Sequence, residues 1–252
     1  MGWNTWWIAG CVWKGTFAYC NLGLLITVMI MQNINAVIFD MDGLLLDSER
    51  LYLDSFLSTC SHFGIGDLSD VFMRGLGTNA EMGKEILTEG LKGLVGYEAF
   101  CSVWDELIEK FSTENPIPLK QGAQNLLDAL KVRNIPMAVA TSSDTHLAKT
   151  RLSDIGILSY FKSVTGGDKV SNSKPSPEIY VKAANKLGVT PAECLVLEDS
   201  SNGVRSAVAA GMRVIQIPDL IEPDSELLKL GHTVLNSLDE VVNLYFEANK
   251  LF

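Results

Sequence analysis

The 252-residue sequence has few features of secreted, disulfide-stabilised or nucleic-acid-binding proteins. Its five cysteines, at positions 11, 20, 60, 101 and 194, are odd in number and form no Cys-x-x-Cys pair, which indicates reduced thiols in a cytoplasmic protein. Lysine and arginine number 20 against 30 acidic residues, a formal net charge of −10, so no nucleic-acid partner is expected. An anionic small-molecule substrate stays compatible with this charge, because a bound metal ion and one lysine can outweigh the distant field.

The sequence also has no apolar run that matches a membrane span. Residues 17–31 are fewer than the roughly 20 residues that a span requires, and Asn21 interrupts them. Residues 1–33 hold four of the five tryptophans and one charged residue, Lys14, without a signal-peptide pattern. We interpret residues 1–33 as an apolar leader outside the core, and we expect the working protein to start within it, at Met31 in preference to Met29, so that the preceding residues are not native. A membrane anchor is the alternative interpretation, but no membrane partner is expected.

The most informative stretch is Ala-Val-Ile-Phe-Asp-Met-Asp-Gly at residues 36–43. Four consecutive apolar residues are too few for a helix and predict a strand buried on both faces, as in a parallel sheet. The strand ends at Asp40 and Asp42, at the edge where ligands bind in open α/β sheets. Two carboxylates this close repel each other unless a cation or a shared proton compensates, and hard oxygen ligands suit Mg²⁺. Taken alone, the motif is equally compatible with a simple turn after a core strand.

A helical segment interrupts the predicted sheet after this strand. Apolar residues recur at steps of three and four over 51–60, 68–76, 81–91 and 97–111, which indicates amphipathic helices. Pro116 and Pro118 favour an extended connection back to the remaining chain. We expect residues 50–116 to form an all-helical cap domain on two adjacent linkers, as a hinged lid requires.

From residue 117 onward, predicted strands and helices alternate. The strands are expected at 135–140, 161–164, 194–197, 214–217 and 233–235, and the helices at 121–133, 144–155, 176–187, 200–210 and from 237. This alternation indicates an α/β fold with a doubly wound parallel sheet, formed by residues 34–49 and 117–252.

Three predicted strands end in polar pairs, which are Asp40 and Asp42, Thr141 and Ser142, and Glu198 and Asp199. In a parallel sheet these ends lie at the same edge. Acids at two ends can hold one Mg²⁺, and hydroxyls at the third can hold a phosphate oxygen. Lys174 comes just before a predicted helix, where a cation can meet a bound anion.

Four motifs in this order resemble the haloacid dehalogenase (HAD) superfamily. They begin at Asp40 (Asp-Met-Asp-Gly), Val139 (Val-Ala-Thr-Ser-Ser), Lys174 (Lys-Pro-Ser-Pro-Glu) and Leu197 (Leu-Glu-Asp-Ser-Ser-Asn-Gly-Val). The resemblance covers about residues 34–236. Within the superfamily the chain is similar to the helical-cap phosphatase and β-phosphoglucomutase branch, especially to pseudouridine-5'-phosphatase-like members.

The resemblance implies catalytic roles for the first motif and for Lys174. Asp40 would be the nucleophile, forming a phosphoaspartate while also ligating Mg²⁺. Asp42 would protonate the leaving alkoxide and then deprotonate the attacking water, and its backbone carbonyl would contact the metal. Lys174 would bridge the nucleophile and the phosphoryl group.

The other motifs would supply binding groups. Thr141 and the backbone of Ser142 would hold the phosphoryl group, and Asp199, helped by Glu198, would complete the metal shell. Such a site suits phosphoryl transfer, in which catalysis is mostly positioning and charge neutralisation.

The resemblance therefore implies a Mg²⁺-dependent phosphatase for a small phosphorylated metabolite, either a sugar phosphate or a nucleoside phosphate. A β-phosphoglucomutase-like sugar phosphomutase is the alternative. Such mutases carry a histidine where this chain has Tyr52 and an arginine near the position of Thr78, and both departures disfavour a mutase. Candidate substrate contacts in the cap are Arg74, Asn79 and Lys84.

Overall fold

The computed structural model describes residues 34–76, 78, 80–114 and 117–247, so the predicted leader lies outside the described residues. Within these ranges six strands form one sheet of parallel neighbours in the order β3-β2-β1-β4-β5-β6. The strands are β1 (Ala36–Phe39), β2 (Met137–Ala140), β3 (Ser163–Thr165), β4 (Cys194–Glu198), β5 (Arg213–Gln216) and β6 (Thr233–Val234).

Ten α-helices occur in the described part of the chain. They are α1 (Ser48–Phe63), α2 (Ser69–Gly75), α3 (Ala80–Gly90), α4 (Tyr97–Glu114), α5 (Ala123–Val132), α6 (Thr145–Asp154), α7 (Glu178–Leu187), α8 (Ser201–Ala209), α9 (Ser225–Leu228) and α10 (Leu238–Glu247). None of the described helices is both long and apolar enough to cross a membrane.

Both faces of the sheet are covered, which explains why β1 is apolar throughout. Val37 and Phe39 belong to a hydrophobic cluster with α5, α6 and α10. Ala36 and Ile38 belong to a second cluster with α7 and α8 on the opposite face. The predicted α/β fold, a doubly wound parallel sheet with an all-helical insertion, is confirmed.

The register of the central strands brings their polar ends together. Phe39 pairs with Val139 of β2 on one side and with Leu197 of β4 on the other. The residues that follow these three positions therefore lie side by side at the carboxyl edge of the sheet, where Asp40 follows Phe39 and Glu198 follows Leu197.

Helices α1 to α4 pack around an aromatic cluster of their own. The ring of Phe56 lies 5.4 Å from that of Phe72, 5.3 Å from that of Phe100 and 5.2 Å from that of Trp104. Aromatic side chains of this size carry much of the apolar burial in a small helical unit. The predicted domain boundaries themselves stay a prediction, and residues 115 and 116 lie outside the described ranges.

The two segments that connect the helical insertion to the sheet are hydrogen-bonded to each other. The backbone N–H of Asp47 donates to the Pro118 carbonyl at 3.0 Å, and that of Lys120 donates to the Leu45 carbonyl at 2.9 Å. Between these contacts Leu46 and Leu119 form an antiparallel bridge. The connections therefore form a short two-stranded ribbon.

Two local predictions differ from the structure. Helix α7 begins at Glu178 with Pro177 as its N-cap, two residues after the predicted start at residue 176. The preceding loop is hydrogen-bonded to this helix end, because the Glu178 carboxylate accepts from the backbone N–H groups of Ser171 and Asn172, both at 2.9 Å, and the Glu178 N–H donates to Ser176 Oγ at 3.4 Å. Helix α9, a single turn, was not predicted.

Candidate active site

Three buried carboxylates converge at the carboxyl edge of the sheet. Asp40 follows β1, Glu198 ends β4, and Asp199 follows it. One oxygen of each carboxylate lies within 4.8 Å of the others, and this is the one acidic group in the described residues that could hold a metal ion. The three residues were expected to meet here because each stands at the end of a predicted parallel strand.

A cavity of about 120 Å³ lies beside these acids and contains most of the other predicted site residues. Its lining includes Asp42, Thr141, Ser142 and Lys174 together with Asp40 and Asp199. Glu198 does not line the cavity, but its carboxylate contacts Lys174, which does. The structure thus brings together all the residues that the sequence analysis selected for chemistry, while their individual roles stay predictions.

Lys174 joins two of the acids directly. Its Nζ lies 2.5 Å from Asp40 Oδ1 and 2.6 Å from Glu198 Oε1. The hydroxyl of Tyr180 on α7 donates a second hydrogen bond to Glu198 Oε1 at 2.7 Å. Tyr180 was not predicted as a site residue, although it lies on the helix that the Lys174 motif opens.

The charges of this cluster are unbalanced. Burial raises the pKa of Asp40 to about 7, even though the adjacent Lys174 acts in the opposite direction. Burial and the neighbouring Glu198 hold the pKa of Asp199 well above its usual range. Burial opposes the charge on Lys174, but Asp40 and Glu198 raise its pKa well above the usual value. Three carboxylates stand beside a single ammonium group, which leaves negative charge that a divalent cation would neutralise. Carboxylate oxygens are hard ligands, so the residues present fit such a metal.

The side chain of Asp42 makes contacts of a different kind. Its Oδ1 accepts hydrogen bonds from Ser48 Oγ at 2.9 Å and from Arg151 Nη1 at 3.1 Å, and its Oδ2 accepts one from Ser143 Oγ at 2.7 Å. The guanidinium of Arg151 also lies 5.5 Å from the ring centre of Tyr52 on α1. The Asp42 carboxylate is therefore held by the start of α1, the residue Ser143 after β2 and helix α6, and Tyr52 of the insertion contacts only Arg151.

Glu49 is a site residue to which sequence analysis gave no role. It lines the cavity with Asp40 and Asp199. Burial and the nearby Asp219 raise the pKa of Glu49 to about 8. Its position at the end of the first motif was the available signal, but only the fold shows that α1 directs it towards the acids.

Gly43 allows the close approach of the first motif to Asp199. Its φ of +84° is disfavoured for other residues, and a Cβ there would lie 2.5 Å from Asp199 Oδ2.

The predicted cap contacts have different locations. Lys84 lines an aromatic cavity next to the acidic cavity, whereas Thr78, which was not a predicted contact, lines the acidic cavity itself. Arg74 is exposed on α2 and lines neither of these cavities. Asn79 lies outside the described residues.

Comparison with known proteins gives consistent results. A sequence profile described as "Haloacid dehalogenase-like hydrolase" matches residues 37–217. A "Phosphorylated carbohydrates phosphatase" from Thermotoga maritima is 34% identical over 218 residues, covering 84% of this chain and 99% of that protein. A "Probable pseudouridine-5'-phosphatase" from Drosophila melanogaster is 32% identical over 201 residues, covering 75% of this chain and 84% of that protein.

The fold has solved counterparts as well. The crystal structure of a putative β-phosphoglucomutase from Thermotoga maritima superposes with a TM-score of 0.69 at 30% identity, covering 86% of this chain and all of the other. Both curated relatives are named as phosphatases, that is, as phosphoric monoester hydrolases, which is the enzyme class that the sequence predicts. Because the profile covers residues 37–217, more than half of the chain, the chain belongs to the haloacid dehalogenase-like hydrolase family.

Proposed function

We propose that the protein is a Mg²⁺-dependent phosphatase that hydrolyses a small phosphorylated metabolite, a sugar or nucleoside phosphate, through a phosphoaspartate on Asp40. The observation that carries this proposal is the contact of Asp40 with Lys174, 2.5 Å apart, in a cavity shared with Asp42 and Thr141. The named activities of the two phosphatase relatives support it.

The first half of the reaction transfers the phosphoryl group to the protein. A carboxylate oxygen of Asp40 attacks phosphorus, the bond from phosphorus to the ester oxygen breaks, and Asp42 gives its proton to the leaving oxygen. Lys174 favours the anionic form of Asp40 and so keeps it nucleophilic despite its burial.

The second half releases phosphate. Asp42, now a carboxylate, takes a proton from a water molecule whose oxygen attacks phosphorus, and the bond to Asp40 breaks. Thr141 and Ser142 hold the phosphoryl oxygens through both halves, because both line the cavity next to Asp40. The sum is one ester and one water consumed, with one alcohol and one phosphate formed.

Asp40, Asp199 and Glu198 would hold the Mg²⁺, with the backbone carbonyl of Asp42 as a further ligand. When bound, the ion supplies neutralisation of the charge on the phosphoryl group. The identity of the ion as Mg²⁺ is part of the proposal and follows from the hard oxygen donors.

The helical insertion would act as a cap over this cavity, with residues 50–116 as its domain and 34–49 and 117–252 as the catalytic core. Thr78 of the insertion already lines the acidic cavity. The predicted cytoplasmic location and the absence of a nucleic-acid partner stay predictions.

A sugar phosphomutase is the second candidate, favoured by the similarity to a putative β-phosphoglucomutase. A mutase discharges its phosphoenzyme to a second sugar instead of water. Tyr52 and Thr78 stand where such mutases carry a histidine and an arginine, which argues against this candidate.

The test is phosphate release from a panel of sugar, polyol and nucleoside phosphates, with Mg²⁺ and with EDTA. We expect release that requires the metal and a hydroxylamine-sensitive phosphoprotein that Asp40→Asn abolishes. Release that persists unchanged in Asp40→Asn would contradict the proposed nucleophile. Isomerised sugar phosphate without free phosphate would favour the mutase.

A further inference from the structure

A second cavity lies among the helices of the insertion and has the composition of a ligand site. Its volume is about 560 Å³, and its aromatic walls are Tyr52, Phe56, Phe72, Tyr97 and Trp104. Small-molecule sites typically have about 300–1,000 Å³ and mainly apolar walls with few polar groups. We call this cavity the aromatic groove.

The aromatic groove borders the acidic cavity at two points. Ser143 lines the groove, and its Oγ donates a 2.7 Å hydrogen bond to Asp42, which lines the acidic cavity. Thr78 lines the acidic cavity, and its Oγ1 would lie 3.4 Å from a Cβ at Gly83, which lines the groove. A molecule with its phosphate beside Asp40 thus has the groove next to the position of its leaving group.

Gly83 is unusual because it lies inside helix α3. Glycine there is less favourable than alanine by about 0.5–1 kcal/mol. No close packing requires it, because an added Cβ would meet only Thr78 Oγ1, at an ordinary contact distance. The absence of a side chain at this position leaves room in the groove.

The walls of the groove discriminate between the two substrate classes that the proposed function leaves open. A sugar or polyol would place hydroxyls against aromatic rings, and each buried hydroxyl without a partner costs about 1–3 kcal/mol. A planar base instead gains apolar contact with the rings that keep exposed surface, which are those of Tyr52, Tyr97 and Trp104. Lys84 and Asp105, which are exposed and also line the groove, offer a donor and an acceptor to the polar edge of a base.

The geometry points to nucleoside monophosphates as the substrate class, with the base in the aromatic groove and the phosphate beside Asp40. This inference rests on the proposed phosphatase function. The groove would hold the leaving nucleoside, and Gly83 would determine substrate specificity by leaving room for the base.

The first experiment compares kcat/KM for phosphate release from uridine and adenosine 5'-monophosphates with that from glucose 6-phosphate and sorbitol 6-phosphate. We expect the nucleotides to be preferred by at least about tenfold. Gly83→Leu should remove that preference by lowering kcat/KM for the nucleotides alone, without lowering the melting temperature. Gly96→Leu is the matched control, since Gly96 lies outside the groove with open space around it.

A second variant tests polarity instead of volume. Ile108 lines the groove but belongs to no hydrophobic cluster of the described residues, so Ile108→Asn should weaken nucleotide use while the protein stays folded. Leu107→Asn on the same helix, outside the groove, is its control. The inference would be overturned if kcat/KM for sugar phosphates equalled that for nucleotides. It would also be overturned if Gly83→Leu lowered kcat/KM equally for both classes.

Binding of adenosine and uridine separates the inference from the proposed function, because neither needs to be hydrolysed. Calorimetry with the full chain should detect binding that Gly83→Leu abolishes and Gly96→Leu preserves. Nucleoside binding without any phosphatase activity would support the groove and overturn the proposed function. Sugar-phosphate hydrolysis without nucleoside binding would support the proposed phosphatase function and overturn the assignment of the groove to a nucleoside.

Discussion

Gly203 of α8 lies directly against the carboxylate of Glu198, so that a Cβ at position 203 would come within 1.6 Å of Glu198 Oε1. The same oxygen accepts hydrogen bonds from Lys174 and Tyr180. The Glu198 carboxylate therefore occupies the space that a methyl group at position 203 of α8 would need.

We expect Gly203→Ala to displace Glu198 and, through it, Lys174. Activity should fall by at least about tenfold, and more Mg²⁺ should be needed for half-maximal rate, because one ligand group has moved. Gly96→Ala is a suitable control, since open space surrounds Gly96. An unchanged metal requirement in a folded Gly203→Ala protein would show that Glu198 does not support the metal site.

Asp40→Asn should abolish turnover, because an amide is not a nucleophile towards phosphorus. The expected loss of kcat is at least about 10³-fold. The exposed Asp70 on α2 offers an isosteric control, and Asp70→Asn should keep full activity. Phosphate release under saturating substrate and Mg²⁺ measures both.

Asp42→Asn should separate the two halves of the reaction. With p-nitrophenyl phosphate the leaving group needs little protonation, so Asp40 can still be phosphorylated, whereas activation of water is lost. The expected result is a burst of about one p-nitrophenol per protein molecule followed by slow turnover. A slow steady rate without a burst would place the defect in the first half instead.

Mg²⁺ should stabilise the folded protein, because the buried acids repel one another without it. The melting temperature is expected to rise with added Mg²⁺ and to return on addition of EDTA. Asp199→Asn should reduce this rise, whereas Asp70→Asn should leave it intact. Equal rises in all three proteins would indicate that the ion binds elsewhere.

The burial of His232, which lies outside the acid cluster, should make the stability of the protein depend on pH. Its Nε2 lies 2.8 Å from Gln216 Oε1, and its buried Nδ1 has no hydrogen-bond partner within the described residues. Burial lowers the pKa of His232 below the usual 6.5, so the unfolded chain binds a proton more readily. The free energy of unfolding should therefore fall as the pH drops below about 6.5.

Urea unfolding at pH 7.5 and 5.5 tests this, with His232→Gln as the comparison. The variant should lose less stability between the two pH values, by under about 1 kcal/mol because the ring is partly exposed. Equal losses in both proteins would show that other groups cause the pH dependence.

The sheet and the acid cluster could be predicted from sequence because both follow from short-range patterns. An apolar run such as residues 36–39 indicates a strand covered on both faces, and parallel strands place Asp40 and Glu198 at one edge. The contact between Arg151 and Asp42 could not be found in this way. The two residues are 109 positions apart, and only the packing of α6 against the first motif brings them together.

Glu49 and Ser176 show the same limit at shorter range. Glu49 stands within the first motif, but its proximity to Asp199 depends on the turn at Gly43. The helix predicted from residue 176 begins two residues later, at Glu178, whose side chain is hydrogen-bonded to the preceding loop. Sequence patterns thus indicate whether a segment is a helix or a strand more reliably than they indicate where an individual side chain points.

The ribbon formed by the two connecting segments constrains how the helical insertion can reposition. Because the backbone N–H of Asp47 donates to Pro118 and that of Lys120 donates to Leu45, a rotation of one segment would break these hydrogen bonds unless the other segment moved with it. Asp219 Oδ1 binds both Arg50 and Lys120, at 2.6 and 2.5 Å, and so anchors the ribbon to the loop after β5. Any movement of the proposed cap over the acids would therefore have to turn both segments together, and it would carry Glu49, at the start of α1, with it.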